Sequence, residues 1–238
     1  MRLVVFAVLL CGCDEKPAGG PPVKVGEIGA ATFVYGCGPD SDPKCNMDAE
    51  LAPMAMNTVF PSVATGSKFA ITAVTTVESG MGTPLGVGTA GTSMIDVDPM
   101  SKLLVAKHAG FASMLAQNNG AAIDITTIQV LDPKKLDILQ ATPDGKFLGG
   151  SVSIGPGGVT ATQNVQYTFR FRAIPKDDSG TILAGALPCR WTSSDPNVAK
   201  VTSPPQNNIA VVVSGVAGTA NVDVTLGALK GEIVIKVN

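Results

Sequence analysis

The sequence predicts an all-β protein built from two tandem β-sandwich modules. Apolar and polar residues alternate with a period of two in residues 165–173, 220–226 and 233–237, so each segment has one apolar face and one largely polar face. Turn residues stand between these segments, at residues 176–180 and at Gly227. Several short strands at this spacing are typical of two antiparallel sheets that share a core. The length of 238 residues suits one large domain or two of ordinary size.

The clearest motif lies near the C-terminus. Trp191 ends a predicted strand, Asp195 and Pro196 belong to a Ser-Ser-Asp-Pro turn, and Gly215 and Gly218 form a Gly-x-x-Gly corner. On these features, the segment from about residue 150 to the C-terminus resembles the bacterial Ig-like group 2 domain. The resemblance implies an immunoglobulin-like sandwich in which Trp191 fills the core and the turn and corner residues are structural. Because such modules are usually spacers or binding units on bacterial surface proteins, it also implies a non-enzymatic role.

A less complete copy of this motif lies upstream. An Asp-Pro turn recurs at Asp98, Met94 stands where the tryptophan stands in the later copy, and Gly110 repeats the corner glycine. We therefore expect residues 23–131 to form a divergent Ig-like module and residues 132–238 to form the second module. The alternative for the first module is an unrelated β-rich domain.

Two segments of the first module have competing interpretations. Residues 107–118 fit a short helix, because Phe111 and Leu115 are four positions apart, but the repeat favours a strand. Residues 86–91 match the Gly-x-Gly-x-x-Gly pattern of dinucleotide-binding proteins. That chemistry needs a helix directly after the glycines, and a β-prone segment follows here instead. We therefore interpret residues 86–91 as a flexible loop and predict no cofactor.

The N-terminus indicates export. Residues 3–10 form an apolar run that is too short to span a bilayer but suits the core of a signal peptide. The sequence Leu10-Cys11-Gly12-Cys13 resembles the lipobox of bacterial lipoproteins. The resemblance implies a signal peptide over residues 1–12, a lipid on Cys13 and a Pro/Gly-rich tether over residues 13–22. The alternatives are an ordinary secretory signal or an apolar N-terminus that is retained.

The remaining cysteines fit an exported protein. Cys37 and Cys45 bracket a turn-rich segment whose ends can meet, and we expect them to form a disulfide in an oxidising compartment. Closing such a short loop is worth about 2–3 kcal/mol. Cys189 shares strand parity with Trp191, so we expect it to be a buried apolar residue; a reactive surface thiol is the alternative.

The candidate binding residues are few. An acidic cluster between the two paired cysteines and just beyond them is the one candidate cation site, yet it lacks the Asp-x-Asp-x-Asp-Gly spacing of a calcium loop, and we predict no metal. Tyr35 is the one aromatic ring that we expect to be exposed. The candidate binding residues are therefore Tyr35, Asp40, Asp42, Asp48 and Glu50.

Composition excludes several classes of function. A net charge of −2 without a basic patch argues against a nucleic-acid partner. The single histidine, His108, cannot supply a multi-histidine zinc site, and no Gly-x-Ser-x-Gly elbow supports it in a catalytic triad. Aromatic residues make up 5% of the chain, which is little material for a glycan-stacking face.

The sequence therefore predicts a lipid-anchored cell-envelope protein, periplasmic or on the cell surface. Its Ig-like modules would serve as a non-enzymatic spacer, adhesion or assembly module. Its expected partners are the membrane, through the N-terminal lipid, and other envelope proteins or surface glycans. The alternative is a substrate-binding lipoprotein that captures a glycan or peptide for a partner enzyme or transporter.

Overall fold

The computed structural model describes residues 23–36, 42–43, 60–77, 82–91, 93–140, 159–161, 168–202 and 209–238. Within these residues the chain is all-β: it forms 17 strands and no helix. No helix that is long and apolar enough to cross a membrane occurs in this described part.

Nine strands lie in residues 23–131. They are β1 (Val23–Val25), β2 (Ala31–Gly36), β3 (Val63–Ala64), β4 (Lys68–Thr75), β5 (Pro84–Thr89), β6 (Ile95–Val97), β7 (Leu104–Ala106), β8 (Gly110–Asn118) and β9 (Ala121–Leu131).

Eight strands follow in residues 135–237. They are β10 (Lys135–Gln140), β11 (Val159–Ala161), β12 (Thr168–Lys176), β13 (Arg190–Ser193), β14 (Ala199–Val201), β15 (Ile209–Ser214), β16 (Gly218–Leu226) and β17 (Leu229–Val237).

The second set of strands forms two four-stranded sheets. Their orders are β10-β12-β15-β14 and β11-β17-β16-β13. If β10 and β11 are taken as the two halves of strand A and the later strands as B to G, the sheets read A-B-E-D and A′-G-F-C. This is the strand arrangement of an immunoglobulin-type sandwich. The second module is therefore Ig-like by its strand order alone.

The first set repeats this arrangement. β3, β9, β8 and β5 are neighbours in that order, and β4 pairs with β2, β7 and β5, while β6 pairs with β7. Strands β2 to β9 thus correspond one to one with β10 to β17, including a parallel pair at β3–β9 and at β11–β17. The first module adds one strand, β1, which pairs with β2. The expectation of two tandem Ig-like sandwiches is confirmed.

The corner glycines align the two modules. Gly110 and Gly218 open β8 and β16 with φ of 146° and 153°. A Cβ at Gly110 would lie 2.8 Å from the Met94 side chain, and one at Gly218 would lie 2.8 Å from the Val198 side chain. Met94 and Val198 each directly precede the D-position strand, β6 or β14. Met94 is therefore the equivalent of Val198.

This alignment corrects the repeat inferred from the sequence. Asp98 lies between β6 and β7, whereas Asp195 and Pro196 lie between β13 and β14. The two Asp-Pro turns are thus not equivalent, and Met94 does not take the place of Trp191. The error arose because an Asp-Pro turn is a local signal that more than one connection of a sandwich can carry.

The turn at Asp195 and the corner at Gly215 hold each other. The carboxylate of Asp195 accepts a 2.9 Å hydrogen bond from the backbone amide of Asn197, and Pro196 is exposed. The amide of Gly215 donates to the carbonyl of Val198 at 2.8 Å. A Cβ at Gly215 would lie only 1.9 Å from the carbonyl oxygen of Asn197, so only glycine allows this close approach.

Each sandwich encloses its own apolar core. Trp191 lies in the second core and is 9% exposed, and Cys189 is buried there as a free thiol. Burial raises the pKa of the Cys189 thiol to about 12, which leaves it unreactive. The largest side chains of the first core are Phe33, Tyr35, Phe69, Ile95, Met114 and Ile128.

Two ambiguous segments of the first module are strands. Residues 110–118 form β8, so the strand interpretation is confirmed over the helical one. Gly86 and Gly88 lie inside β5, where they pair with Gln117 and Leu115 of β8. The interpretation of residues 86–91 as a flexible loop is therefore wrong for residues 86–89. Pairing with β8 outweighs the low strand propensity of glycine.

Asp124 holds the turn between β1 and β2. It lies on the inward face of β9 and is buried. Its carboxylate accepts the backbone amides of Ile28 (2.9 Å), Ala31 (2.7 Å) and Ile125 (2.8 Å). Burial acts to raise the pKa of this carboxyl, but the amide hydrogen bonds outweigh it and the pKa lies below its ordinary value. The charged form of Asp124 therefore fastens the N-terminal strand to β9.

We expect Asp124→Asn to lower the free energy of unfolding at neutral pH by about 2–3 kcal/mol, because hydrogen bonds to a charged acceptor are lost. The pKa of Asp124 is lower in the folded chain, so its contribution is complete above the unfolded pKa of about 3.9 and fades as pH falls through the folded pKa. Urea unfolding at decreasing pH should show the difference between wild type and variant narrowing. Asp178→Asn, in an exposed turn, is the control, and an equal loss there would contradict the assignment.

Candidate functional site at the junction of the sandwiches

Tyr35, the ring that we expected to be exposed, is fully buried. It lies on the inward face of β2 with Ala31 and Phe33, and its ring stacks on Phe69 with centroids 6.0 Å apart. The expectation of an exposed ring is wrong because the period-2 alternation of β2 points this side chain into the first core.

Asp42 is buried together with Tyr35. The Tyr35 hydroxyl donates a 2.7 Å hydrogen bond to the carboxylate of Asp42, and neither residue has any exposed surface. Burial raises the pKa of Tyr35 well above its ordinary value, and the negative charge of Asp42 and the hydrogen bond to it act in the same direction. Tyr35 is therefore a neutral donor to a buried carboxylate, and Asp42 does not belong to a solvated acidic loop.

The other candidate residues of the N-terminal region lie outside the described residues. These are Cys13, Cys37, Asp40, Cys45, Asp48 and Glu50. Among the residues that the structure does describe, no group of three or more histidine, cysteine, aspartate or glutamate side chains is placed to hold a metal ion.

Arg172 brings the second sandwich into the same region. The alternation of β12 puts it on the outward face, where we expected a wet side chain, yet it is 2% exposed. Burial and, to a smaller extent, the charge of Arg170 lower the pKa of its guanidinium, the charge of Asp42 acts to raise it, and the net pKa is about 10. Arg172 is thus still a cation at neutral pH, and Asp42 of the first sandwich lies within its electrostatic range.

The outward face around Arg172 is covered, which explains the failed prediction. Leu139 of β10 faces Arg172 across the strand pair, and Ile174 lies two positions along β12. Leu139 and Ile174 are buried with Ile182 and Ile209 packed against them as a small apolar cluster separate from the main core. The outward face of β10 and β12 is therefore buried around Arg172, while Lys135, Asp137 and Arg170 on the same face are exposed.

Backbone hydrogen bonds join the two sandwiches. The backbone amide of Ala184 donates a 2.8 Å hydrogen bond to the carbonyl of Ser62. The carbonyl of Ala184 accepts a 2.9 Å hydrogen bond from the amide of Ala64. Lys68 and Ala186 exchange two hydrogen bonds of 2.8 Å each. We call these four bonds, between residues 62–68 and residues 184–186, the backbone joint.

The joint also exchanges core residues between the sandwiches. Ala64, from the first sandwich, packs in the second core, and Ala184, from the second, packs in the first core. Between the two pairs of bonds, Gly185 adopts φ of +95°, and a Cβ there would lie 2.2 Å from the Ser67 hydroxyl oxygen. Only glycine permits the two backbones to approach this closely.

The arrangement at the junction is suited to fastening and not to chemistry. Tyr35, Asp42 and Arg172 are buried, and the one histidine, His108, is exposed in the turn between β7 and β8. The sequence predicted Tyr35 and Asp42 as candidate residues, but Arg172 and the joint were not predicted. The available signal was Gly185 between two alanines, because small residues in a row permit close approach of another backbone.

No protein-family model matches the chain, and no curated protein matches it. Among solved structures, the chain is similar to surface layer protein SbsC, domains 4-9, at 15% identity and a TM-score of 0.32, over 71% of this chain and 25% of that one. It is similar to domains A168-A170 from titin at 14% identity and a TM-score of 0.29, over 74% of this chain and 62% of that one. The chain is also similar to a beta-glycosidase from Bacteroides vulgatus at 11% identity and a TM-score of 0.33, over 75% of this chain and 24% of that one. The chain thus spans about a quarter of the first of these structures. Because these TM-scores and identities are low, the assignment of the Ig-like fold rests on the strand order described above.

A pair of glycine substitutions tests the joint. Gly180 and Gly185 both have positive φ, of +87° and +95°, but a Cβ at Gly180 meets nothing within 4 Å. We expect Gly180→Ala to lower the free energy of unfolding by about 1–2 kcal/mol through backbone strain. Gly185→Ala should cost about 1–3 kcal/mol more, because its methyl group overlaps Ser67. Urea unfolding measures both, and amide exchange at Ala64 and Ala186 should accelerate in Gly185→Ala alone. Equal costs would contradict the close approach.

A double-mutant cycle tests the buried hydrogen bond. We expect Tyr35→Phe and Asp42→Asn to destabilise the chain singly and to be non-additive, with a coupling energy of about 1–2 kcal/mol, because each residue is the other's partner. The measurement is urea unfolding of the two single variants and the double variant. Tyr35→Phe combined with Asp178→Asn, which is remote and exposed, is the control and should be additive. A coupling near zero for Tyr35 and Asp42 would refute the assignment.

Proposed function

We propose that this chain is a lipid-anchored cell-envelope protein whose two Ig-like sandwiches act as a non-enzymatic spacer or assembly module. The observation that carries the proposal is the junction. Four backbone hydrogen bonds and an exchanged pair of core alanines fasten the second sandwich to the first. A spacer must keep its length and direction, and a fastened junction provides this where a flexible linker would not.

The anchor in this proposal is Cys13. The apolar run over residues 3–10 and the Leu-Cys-Gly-Cys sequence support a signal peptide over residues 1–12 and lipidation of Cys13. β1 begins at Val23, ten positions after Cys13. Ten extended residues reach at most about 35 Å, so the tether over residues 13–22 would hold the first sandwich close to the membrane.

Features of the second sandwich support its assignment to a particular family. The Trp191 strand, the Asp195 turn and the corner at Gly215 and Gly218 lie in one Ig-like sandwich. We propose that it is a bacterial Ig-like group 2 module, exported to the periplasm or cell surface, with other envelope proteins or surface glycans as partners.

The competing function is a lipoprotein that captures a glycan or peptide. Such a protein needs a groove with available polar groups, and two of the candidate binding residues lie at the junction. Tyr35 and Asp42 bond each other there, and both are fully buried. For this reason we favour the spacer or assembly role at the junction.

Two cysteines that are two positions apart, Cys11 and Cys13, give a matched test of the anchor. We expect Cys13→Ser to abolish fatty-acid labelling and to move the chain from the membrane fraction to the soluble fraction, because the thioether sulfur is lost. Cys11→Ser should keep both the label and the membrane association. Metabolic labelling and fractionation of cells that express each variant are the measurements. A Cys13→Ser chain that stays acylated and membrane-bound would show the proposal to be wrong.

The same preparation tests the compartment. In exported protein we expect Cys37 and Cys45 to be joined, which mass spectrometry under non-reducing conditions detects. Free thiols at both positions in exported protein would remove the disulfide from the proposal while leaving the anchor intact.

A further inference from the structure

The two sandwiches differ in charge on one outer face. In the first sandwich this face is made by β5, β8 and β9, and in the second by the equivalent strands β13, β16 and β17. Gly110 pairs with Val130 in the first sandwich, and Gly218 pairs with Val237 in the second. These pairs set a common register, so outward residues can be compared position by position.

The central position of the face shows the difference most clearly. In the first sandwich, Leu115 of β8 is the cross-strand partner of Ile125 of β9. At the equivalent positions of the second sandwich, Asp223 faces Glu232. An aliphatic pair on one module thus stands where the other module has two carboxylates.

The end of the face near the corner follows the same rule. Phe111 faces Gln129 in the first sandwich, whereas Thr219 faces Lys236 in the second. Phe111 is 69% exposed. Its ring therefore keeps apolar surface in water, and contact with a second surface would bury that area.

The outer strand of the face, β5, has glycine at two outward positions. Gly86 and Gly88 of β5 stand where Arg190 and Thr192 stand in β13, judged by their pairing with β8 and β16. The side chain of Gln117 lies beside Gly88, where an added Cβ would be 3.0 Å from its Nε2 atom, so a neutral amide covers this edge of the face. None of the outward-facing residues of β5, β8 and β9 is charged.

We propose that the β5–β8–β9 face is an interface with a second copy of this chain. A charged partner surface would lose its hydration against this face without gaining an opposite charge. A second copy of the same face has no charge to desolvate and no like charge to repel it. Two copies related by a two-fold axis would bring identical uncharged surfaces together.

The size of the face makes the contact weak. Three strands about 4.8 Å apart and nine residues long cover about 15 Å by 30 Å, or about 450 Å² per copy. Stable complexes bury about 800 Å² per partner. A weak contact of this kind is populated most where the local concentration of the chain is high. The lipid anchor would provide this by holding many copies in the plane of the membrane. The contact deepens the proposed assembly role and rests on the anchor only for this local concentration.

The second sandwich supplies the test variant. Leu115→Asp with Ile125→Glu transfers to the first sandwich the Asp–Glu pair that the second already carries in the same register. Val34→Asp with Thr72→Glu is the matched control, because these residues also face each other across paired strands, on the outer face of β2 and β4. Circular dichroism of both variants establishes that they fold.

Sedimentation velocity of the full chain in detergent micelles and lysine cross-linking in intact cells are the measurements. We expect reversible dimerisation of wild type and the control variant with similar dissociation constants, and a dissociation constant at least tenfold higher for Leu115→Asp with Ile125→Glu. The cross-linked dimer should disappear in cells for that variant alone. The Cys13→Ser chain should still associate in solution while losing the cross-link in cells, so failure of the anchor is distinguishable from failure of the interface.

Three outcomes would overturn the proposal. The first is wild type that stays monomeric at every concentration and gives no dimer in cells. The second is a control variant that weakens association as much as the face variant does. The third is binding of dextran, a neutral polysaccharide, by monomeric wild type through this face, which would identify a glycan as its occupant.

Discussion

The backbone joint between residues 62–68 and residues 184–186 is the interaction on which the arrangement of the molecule depends. Each of its four hydrogen bonds joins a backbone group of the first sandwich to a backbone group of the second. Side chains do not take part in these bonds. Its geometry requires Gly185, and the joint also places Ala64 and Ala184 in each other's cores. The same junction holds Asp42 near Arg172, so a buried carboxylate and a buried cation lie where the two modules meet.

Within each module, a few positions show how one strand order serves different ends. Val130 and Val237 are equivalent, so Asp124, six positions earlier in β9, corresponds to Gly231 in β17. Asp124 binds the amides of the β1–β2 turn, while at Gly231 an added Cβ would meet Ile138 of β10 at 2.9 Å. The first module thus uses a charge to hold an extra N-terminal strand, and the second uses the absence of a side chain to pack strand A closely.

Much of the fold follows from signals that are local in the sequence. Strict alternation predicted β16 and β17, and the corner glycines at positions 110 and 218 marked equivalent corners, because a glycine conformation is required there. The Asp98 turn was misaligned because turn chemistry specifies a reversal and not which strands it joins. The strand at Gly86 was missed because its stability comes from pairing with β8, about 30 positions away, which overrides local propensity.

The site was less predictable, and the reason is the range of the interactions. The alternation of β2 does predict that Tyr35 points inward with Phe33, so its burial could have been found from the sequence. The burial of Arg172 could not have been found in this way, because the alternation in its strand is typical of a sheet with one face in solvent. The nearby Asp42 lies 130 positions earlier in the chain.

The features that carry the family resemblance and the features that distinguish the two modules lie on different sandwiches. Trp191, Asp195 and the corner glycines carry the resemblance, and they are used for the core, a turn and a close backbone approach. Its outer β13–β16–β17 face carries Asp223 and Glu232 in a facing pair, as suits a surface in water. The first module departs from this plan through β1 and an uncharged outer face. Since both modules share one strand order, that order does not account for these departures, and specific roles are therefore to be sought on the first module.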